Sequence, residues 1–173
     1  AARFLQLQPW FAGLPHALQG QVLDRACTQQ VPRGAVALRC REFADGWYAV
    51  LSGLVKLQAP ARKGGAAAFL ALAGGEWFGE GTALEGTPRR YEVVALRDTE
   101  LLCLPRALYQ ELLATSLPFN HAVLLAMNRR LGQAMSVIET ARCGSAEQRL
   151  ALYLSPVFWH GLRCLDLGQE ELG

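Results

Sequence analysis

The chain has 173 residues, 51% of them hydrophobic and 18% charged, with a formal net charge of +2. That length supports one compact core plus an appendage, and so small a charge excludes wholesale coating by nucleic acid, leaving any DNA contact to a local element. Five dispersed cysteines without a Cys-x-x-Cys pair give no sign of a zinc site, a redox dithiol or a disulfide framework.

No signal-peptide pattern opens the chain and no apolar run approaches the roughly 20 residues that span a bilayer, so a soluble, cytoplasmic protein with no membrane partner is expected. Beginning Ala-Ala and stopping at Gly173 inside a helix start, the chain reads as trimmed.

In chain order, Pro15 opens a helical pattern in which Leu18, Val22 and Ala26 share one face, running to about Cys27. From Val31 short apolar runs alternate with turn signals such as Pro32-Arg33-Gly34, Ala44-Asp45-Gly46 and Lys63-Gly64-Gly65. Regular short strands punctuated by glycine predict an antiparallel β-roll of the jelly-roll kind. Within it, Gly46 to Gln58 reads as a hairpin: strand, tight Ser-Gly turn, strand. Trp47 and Tyr48 are expected to pack in the core or at the rim, and Val55 with nearby apolar residues to wall a nucleotide pocket.

Residues Gly75 to Ala95, GEWFGEGTALEGTPRRYEVVA, carry the functional signal. Gly79-Glu80 opens the segment, Arg89 and Arg90 close it, and a β-like run from Tyr91 to Leu96 follows. Glycine lets backbone approach a ligand, amides at a helical start receive anion oxygens, arginine grips a phosphate with two N–H bonds, and a neighbouring carboxylate accepts from ribose hydroxyls. Together they point to a cyclic nucleotide or another small anionic effector. Cys103, in the apolar run Leu101 to Leu104, is expected to be a buried small hydrophobe.

After Pro105 the texture turns helical, with a short helix through Leu113 and a longer one from Pro118 to about Arg142. Leu124, Met127, Leu131, Ala134 or Met135, and Ile138 follow steps of three and four, the spacing of a narrow coiled-coil seam. Gly132 allows close backbone contact there. Ser145 suits a helix N-cap for residues 146–154, and Leu165 to Leu167 reads as a short strand.

The Gly79 to Ala95 segment resembles the phosphate-binding cassette of the CRP/FNR superfamily of bacterial transcription regulators, in which Gly-Glu is followed by Arg-Ser or Arg-Thr and an alanine-rich strand. The resemblance aligns Gly79, Glu80 and Arg89 with the effector site and places Arg90 where the family has a hydroxyl. The Gly46 to Gln58 motif, the Arg129-Arg130-Leu131 run and the Arg149-Leu150-Ala151 helix are similar to further family motifs. Arg129 and Arg130 are expected to snorkel or pair with acids rather than bind DNA. Ala134 and Met135 stand where cyclic-AMP-responsive relatives present hydroxyls to adenine, which points to an effector other than classical cyclic AMP. The iron-sulfur sensors of the superfamily carry an amino-terminal cysteine cluster that this chain lacks.

The resemblance implies an α+β chain in three parts. Residues 1–116 form an effector-sensing β-roll with flanking helices, 117–143 a dimerisation helix meeting its copy through Leu124, Met127, Leu131 and Ile138, and 144–173 the beginning of a winged helix-turn-helix. Gly168 and Gln169, in a Gln-Glu-Glu-Leu entry motif, are the candidate contacts to DNA phosphate. The implied partners are a second copy, promoter DNA and RNA polymerase. Two other readings compete: a cyclic-nucleotide-binding module of a kinase or channel, and a jelly-roll metal enzyme. For the latter, His16, His121 and His160 fall outside the roll, and no catalytic activity is expected.

Overall fold

A computed structural model of the chain describes residues 1–59 and 68–143, together with Ser145, Glu147 and Ala151. Three helices come first: α1 (Ala2–Gln6), α2 (Pro9–Ala12) and α3 (His16–Arg25). Pro15 caps α3 as expected, and Pro9 takes the first position of α2, where its missing N–H costs nothing. Eight strands follow, β1 (Cys27–Val31), β2 (Val36–Leu38), β3 (Gly46–Ser52), β4 (Leu54–Gln58), β5 (Ala68–Ala73), β6 (Trp77–Phe78), β7 (Glu92–Ala95) and β8 (Thr99–Pro105). A short helix, α4 (Glu80–Glu85), interrupts them, and α5 (Arg106–Thr115) and α6 (Leu117–Cys143) complete the described fold. Among the described residues no helix is long and apolar enough to cross a membrane.

The strands form two antiparallel four-stranded sheets, ordered β1-β8-β3-β6 and β2-β7-β4-β5. The fold is thus the α+β β-roll with a long trailing helix. One expectation is corrected by the pairing. β3 and β4 are not a hairpin: β3 bonds to β8 and β6, β4 to β5 and β7, and Ser52-Gly53 is a corner carrying the chain from one sheet to the other. Gly53 sits there at φ +96°, and an added Cβ would lie 2.6 Å from the Asp98 carbonyl oxygen, so a side chain is excluded by backbone. Strand-turn-strand patterning reads identically for a hairpin and for such a corner, because the partners that decide it are remote in sequence.

β3 is buried on both faces. Tyr48 and Val50 point into the inter-sheet core with Val55, Leu101 and Cys103, whereas Trp47 and Ala49 point into a second core built by the helices. Burial, as the largest cause, pushes the Cys103 thiol up to about 12, in keeping with an inert core cysteine. In the second core Trp47 stacks on Trp77 with centroids 4.1 Å apart, and Trp10 meets Phe119 of α6 edge-on at 4.9 Å. Phe119, Val123 and Ala126 seat α6 on the roll. At about 100° per residue, Leu124, Leu131 and Met135 fall on its far side, where all three are exposed.

Candidate functional site: a cavity between the glycine-glutamate corner and α6

β6 ends at Phe78, and Gly79 turns the chain in the left-handed region at φ +88° to become the N-cap of α4. Its carbonyl accepts from the Ala83 amide at 3.0 Å and from Thr82 Oγ1 at 3.1 Å, which fixes the first turn. Glu80 follows immediately and is only 6% exposed. Its Oε1 lies 3.8 Å from Nε of Arg130 on α6, and its Oε2 makes no hydrogen bond within the protein. Arg130 is held in turn by Gln133 Oε1 at 2.8 Å and by the Trp77 carbonyl at 2.9 Å.

These groups border a cavity of about 480 Å³, within the size range of small-molecule sites. Leu57 and Leu70 wall it from the roll; Gly79 to Thr82, Glu85, Arg90 and Tyr91 form its corner; Arg130, Gln133, Ala134, Val137 and Ile138 close it from α6. The Tyr91 phenol is pushed up to about 12, first by burial and then by the Glu80 carboxylate, so it remains a neutral hydroxyl. Burial, followed by Glu80, also raises the Tyr109 phenol, whose O–H donates to the Glu80 carbonyl at 3.4 Å.

The two arginines part company. Arg90 lines the cavity at its mouth, with its guanidinium 3.9 Å from Glu85. Arg89 does not line it: its side chain is 5% exposed, paired with the Asp45 carboxylate, and its Cζ lies 5.7 Å from the centre of the Tyr48 ring. The backbone of Arg89 is clasped as well, its N–H donating to the Glu42 carbonyl and its carbonyl accepting from the Arg41 amide, both at 2.8 Å.

Of the other residues singled out in the sequence, Gly79, Glu80 and Ala134 line the cavity and Met135 does not, lying one step further round α6 and 63% exposed. Ile138 belongs both to the outer stripe and to the cavity wall. Of the pocket wall expected from Val55 and its apolar neighbours, Val55 itself is fully buried between the sheets, and its neighbour Leu57 supplies the β4 wall. Arg130, expected to pair with an acid, faces Glu80. Leu70, Tyr91, Gln133 and Val137 were not foreseen, although Arg130, Ala134 and Val137 repeat at helical spacing. Gly168 and Gln169 lie outside the described residues. Among the described residues no three His, Cys, Asp or Glu side chains gather into a metal-sized group.

A family model described as the cyclic nucleotide-binding domain matches residues 28–116. A cyclic AMP receptor protein of Thermus thermophilus is 31% identical over 152 residues, covering 85% of this chain and 70% of that protein. Among solved structures, a protein of Eubacterium rectale described as a transcriptional regulator of the CRP/FNR family superposes with a TM-score of 0.77 at 20% identity, covering 95% of this chain and 77% of that one. A protein of Silicibacter pomeroyi described as a cAMP-binding regulator gives 0.60 at 22% identity over 80% of this chain; the chain spans 64% of its length.

Proposed function

The chain belongs to the cyclic nucleotide-binding domain family, alongside the CRP/FNR-type transcription regulators, and from that premise we propose that it is an effector-responsive, DNA-binding regulator with no catalytic activity. The cavity is the effector site, residues 1–116 the sensor, α6 the dimerisation helix, and residues 144–173 the start of the DNA-binding part, with Gly168 and Gln169 as its candidate contacts to phosphate. The protein acts in the cytoplasm as a two-fold homodimer on promoter DNA, where RNA polymerase is its downstream partner.

The observation that carries this reading is that the cavity shares a wall with α6. Arg130, Ala134 and Val137 face the cavity, and Ile138 faces both the cavity and the exposed stripe of Leu124, Met127 and Leu131. A ligand seated between roll and helix therefore touches the element through which two copies meet, and its differential contact with two dimer arrangements is what a switch requires. A stripe of large apolar side chains left in water is costly, and a second helix covering it removes the cost.

The test is selection of genomic DNA fragments by the natural protein with all the sequence its gene encodes, with and without cell extract as a source of effector. Enrichment of one palindromic site, with half-sites about one helical turn apart, is expected. Retention of no sequence under either condition would contradict the regulator reading.

A further inference from the structure

The charges of the cavity are unevenly placed. Its inner end holds Glu80, with one carboxylate oxygen buried and unbonded, and the arginine beside it is already engaged by Gln133 and the Trp77 carbonyl. Its long wall is hydrocarbon, from Leu57, Leu70, Val137 and Ile138. The loosely held cation is at the mouth: the Arg90 side chain is 81% exposed and 3.9 Å from Glu85. A phosphate set beside Glu80 would meet a carboxylate, while Arg89, the other guanidinium of the segment, is closed on Asp45 and absent from the wall.

We infer that the site takes a monocarboxylic acid with an apolar body, a medium-chain or aryl-alkyl acid, its hydrocarbon lying along α6 and its carboxylate gripped by Arg90. This rests on the effector-site reading and narrows it. The two charges set the orientation, since Glu80 repels a carboxylate from the inner end and Arg90 offers it two parallel N–H donors at the mouth. The apolar wall supplies the affinity, roughly fourfold for each methylene buried. A cyclic nucleotide, polar around its whole edge, could set its phosphate on Arg90 but would leave its remaining polar atoms against leucine, valine and isoleucine.

Calorimetry with decanoate, hexanoate, decanol and cyclic AMP, on the unaltered protein and on Arg90→Ala, tests this. Decanoate should bind at least tenfold more tightly than decanol and than hexanoate, cyclic AMP should give no heat, and Arg90→Ala should bring decanoate to the level of decanol. Because Arg90 is exposed, the variant should keep its unfolding temperature. Equal binding of decanoate and decanol, unaltered in Arg90→Ala, would overturn the inference. Binding of cyclic AMP with decanoate silent would overturn it while leaving the effector site standing, and silence of all four ligands would overturn both.

Discussion

Arg130 donates from its guanidinium to the Trp77 carbonyl oxygen at 2.9 Å, so that α6 is tied to the strand that delivers the Gly79–Glu80 corner. The same side chain is the nearest cation to the buried Glu80 carboxylate. Removing it severs the tie and leaves Glu80 buried without compensation. Hydrogen bonds to charged groups contribute about 1.5–3 kcal/mol, and at this chain length each kcal/mol moves the unfolding temperature by roughly 2–4 °C. Arg130→Ala should therefore lower it by about 3–12 °C in a calorimetric scan. An unchanged temperature would mean that the tie contributes nothing to holding α6.

The exposed stripe on α6 predicts the oligomeric state. Leu131 is 60% exposed at the middle of the stripe, and its burial against a second copy should contribute roughly 1.5–3 kcal/mol per side. Leu131→Glu replaces that gain with two charges facing each other, and light scattering should report a monomer. A Leu131→Glu protein that stays dimeric at low micromolar concentration would move the interface elsewhere.

Much of this was legible in the sequence because local chemistry decided it. Pro15 and Pro105 marked helix starts, Gly79-Glu80 marked the corner, and the three-four spacing from Leu124 to Ile138 marked the outer face of α6. What was not legible depended on partners far along the chain. The Ser52-Gly53 turn is a corner between sheets because β8 and β7, more than 35 residues on, claim β3 and β4. Arg89 and Arg90 are adjacent and chemically identical, and only Asp45, 44 residues earlier, decides which one faces the cavity. The helices α1 and α2 were missed because five and four residues are too few to show a period; their structure comes from packing Leu5, Trp10 and Phe11.

Two glycines should respond oppositely to alanine. At Gly53 a Cβ meets the backbone of Asp98 and Thr99, and the residue lies in the left-handed region. Gly53→Ala should destabilise by about 1–3 kcal/mol in chemical denaturation. Gly20, within α3, has open space around its Cα, and Gly20→Ala should stabilise by about 0.5–1 kcal/mol. Equal effects at the two sites would contradict the corner geometry.

The tyrosines predict an alkaline limb to stability. The phenols of Tyr48, Tyr91 and Tyr109 are all raised, burial being the largest cause in each, and Tyr91 reaches about 12 from the ordinary 10.0. The folded state thus keeps protons that the unfolded state releases, so the stability contributed is intact below pH 10.0, falls as pH rises above it, and is lost through about 12. Phenolate absorbance of the native protein should lag behind that of the denatured protein across this window. Coincident titration curves, with the native circular dichroism intact, would contradict the burial of these groups.

The central claim, that the cavity between the Gly79–Glu80 corner and α6 is an effector site, is tested most directly by native mass spectrometry of the protein as purified and after incubation with decanoate or cyclic AMP, beside a Val137→Trp variant whose indole fills the cavity. A small-molecule adduct is expected on the unaltered protein and none on a folded, dimeric Val137→Trp. The same adduct on both proteins, or none on the unaltered protein with any ligand, would contradict it.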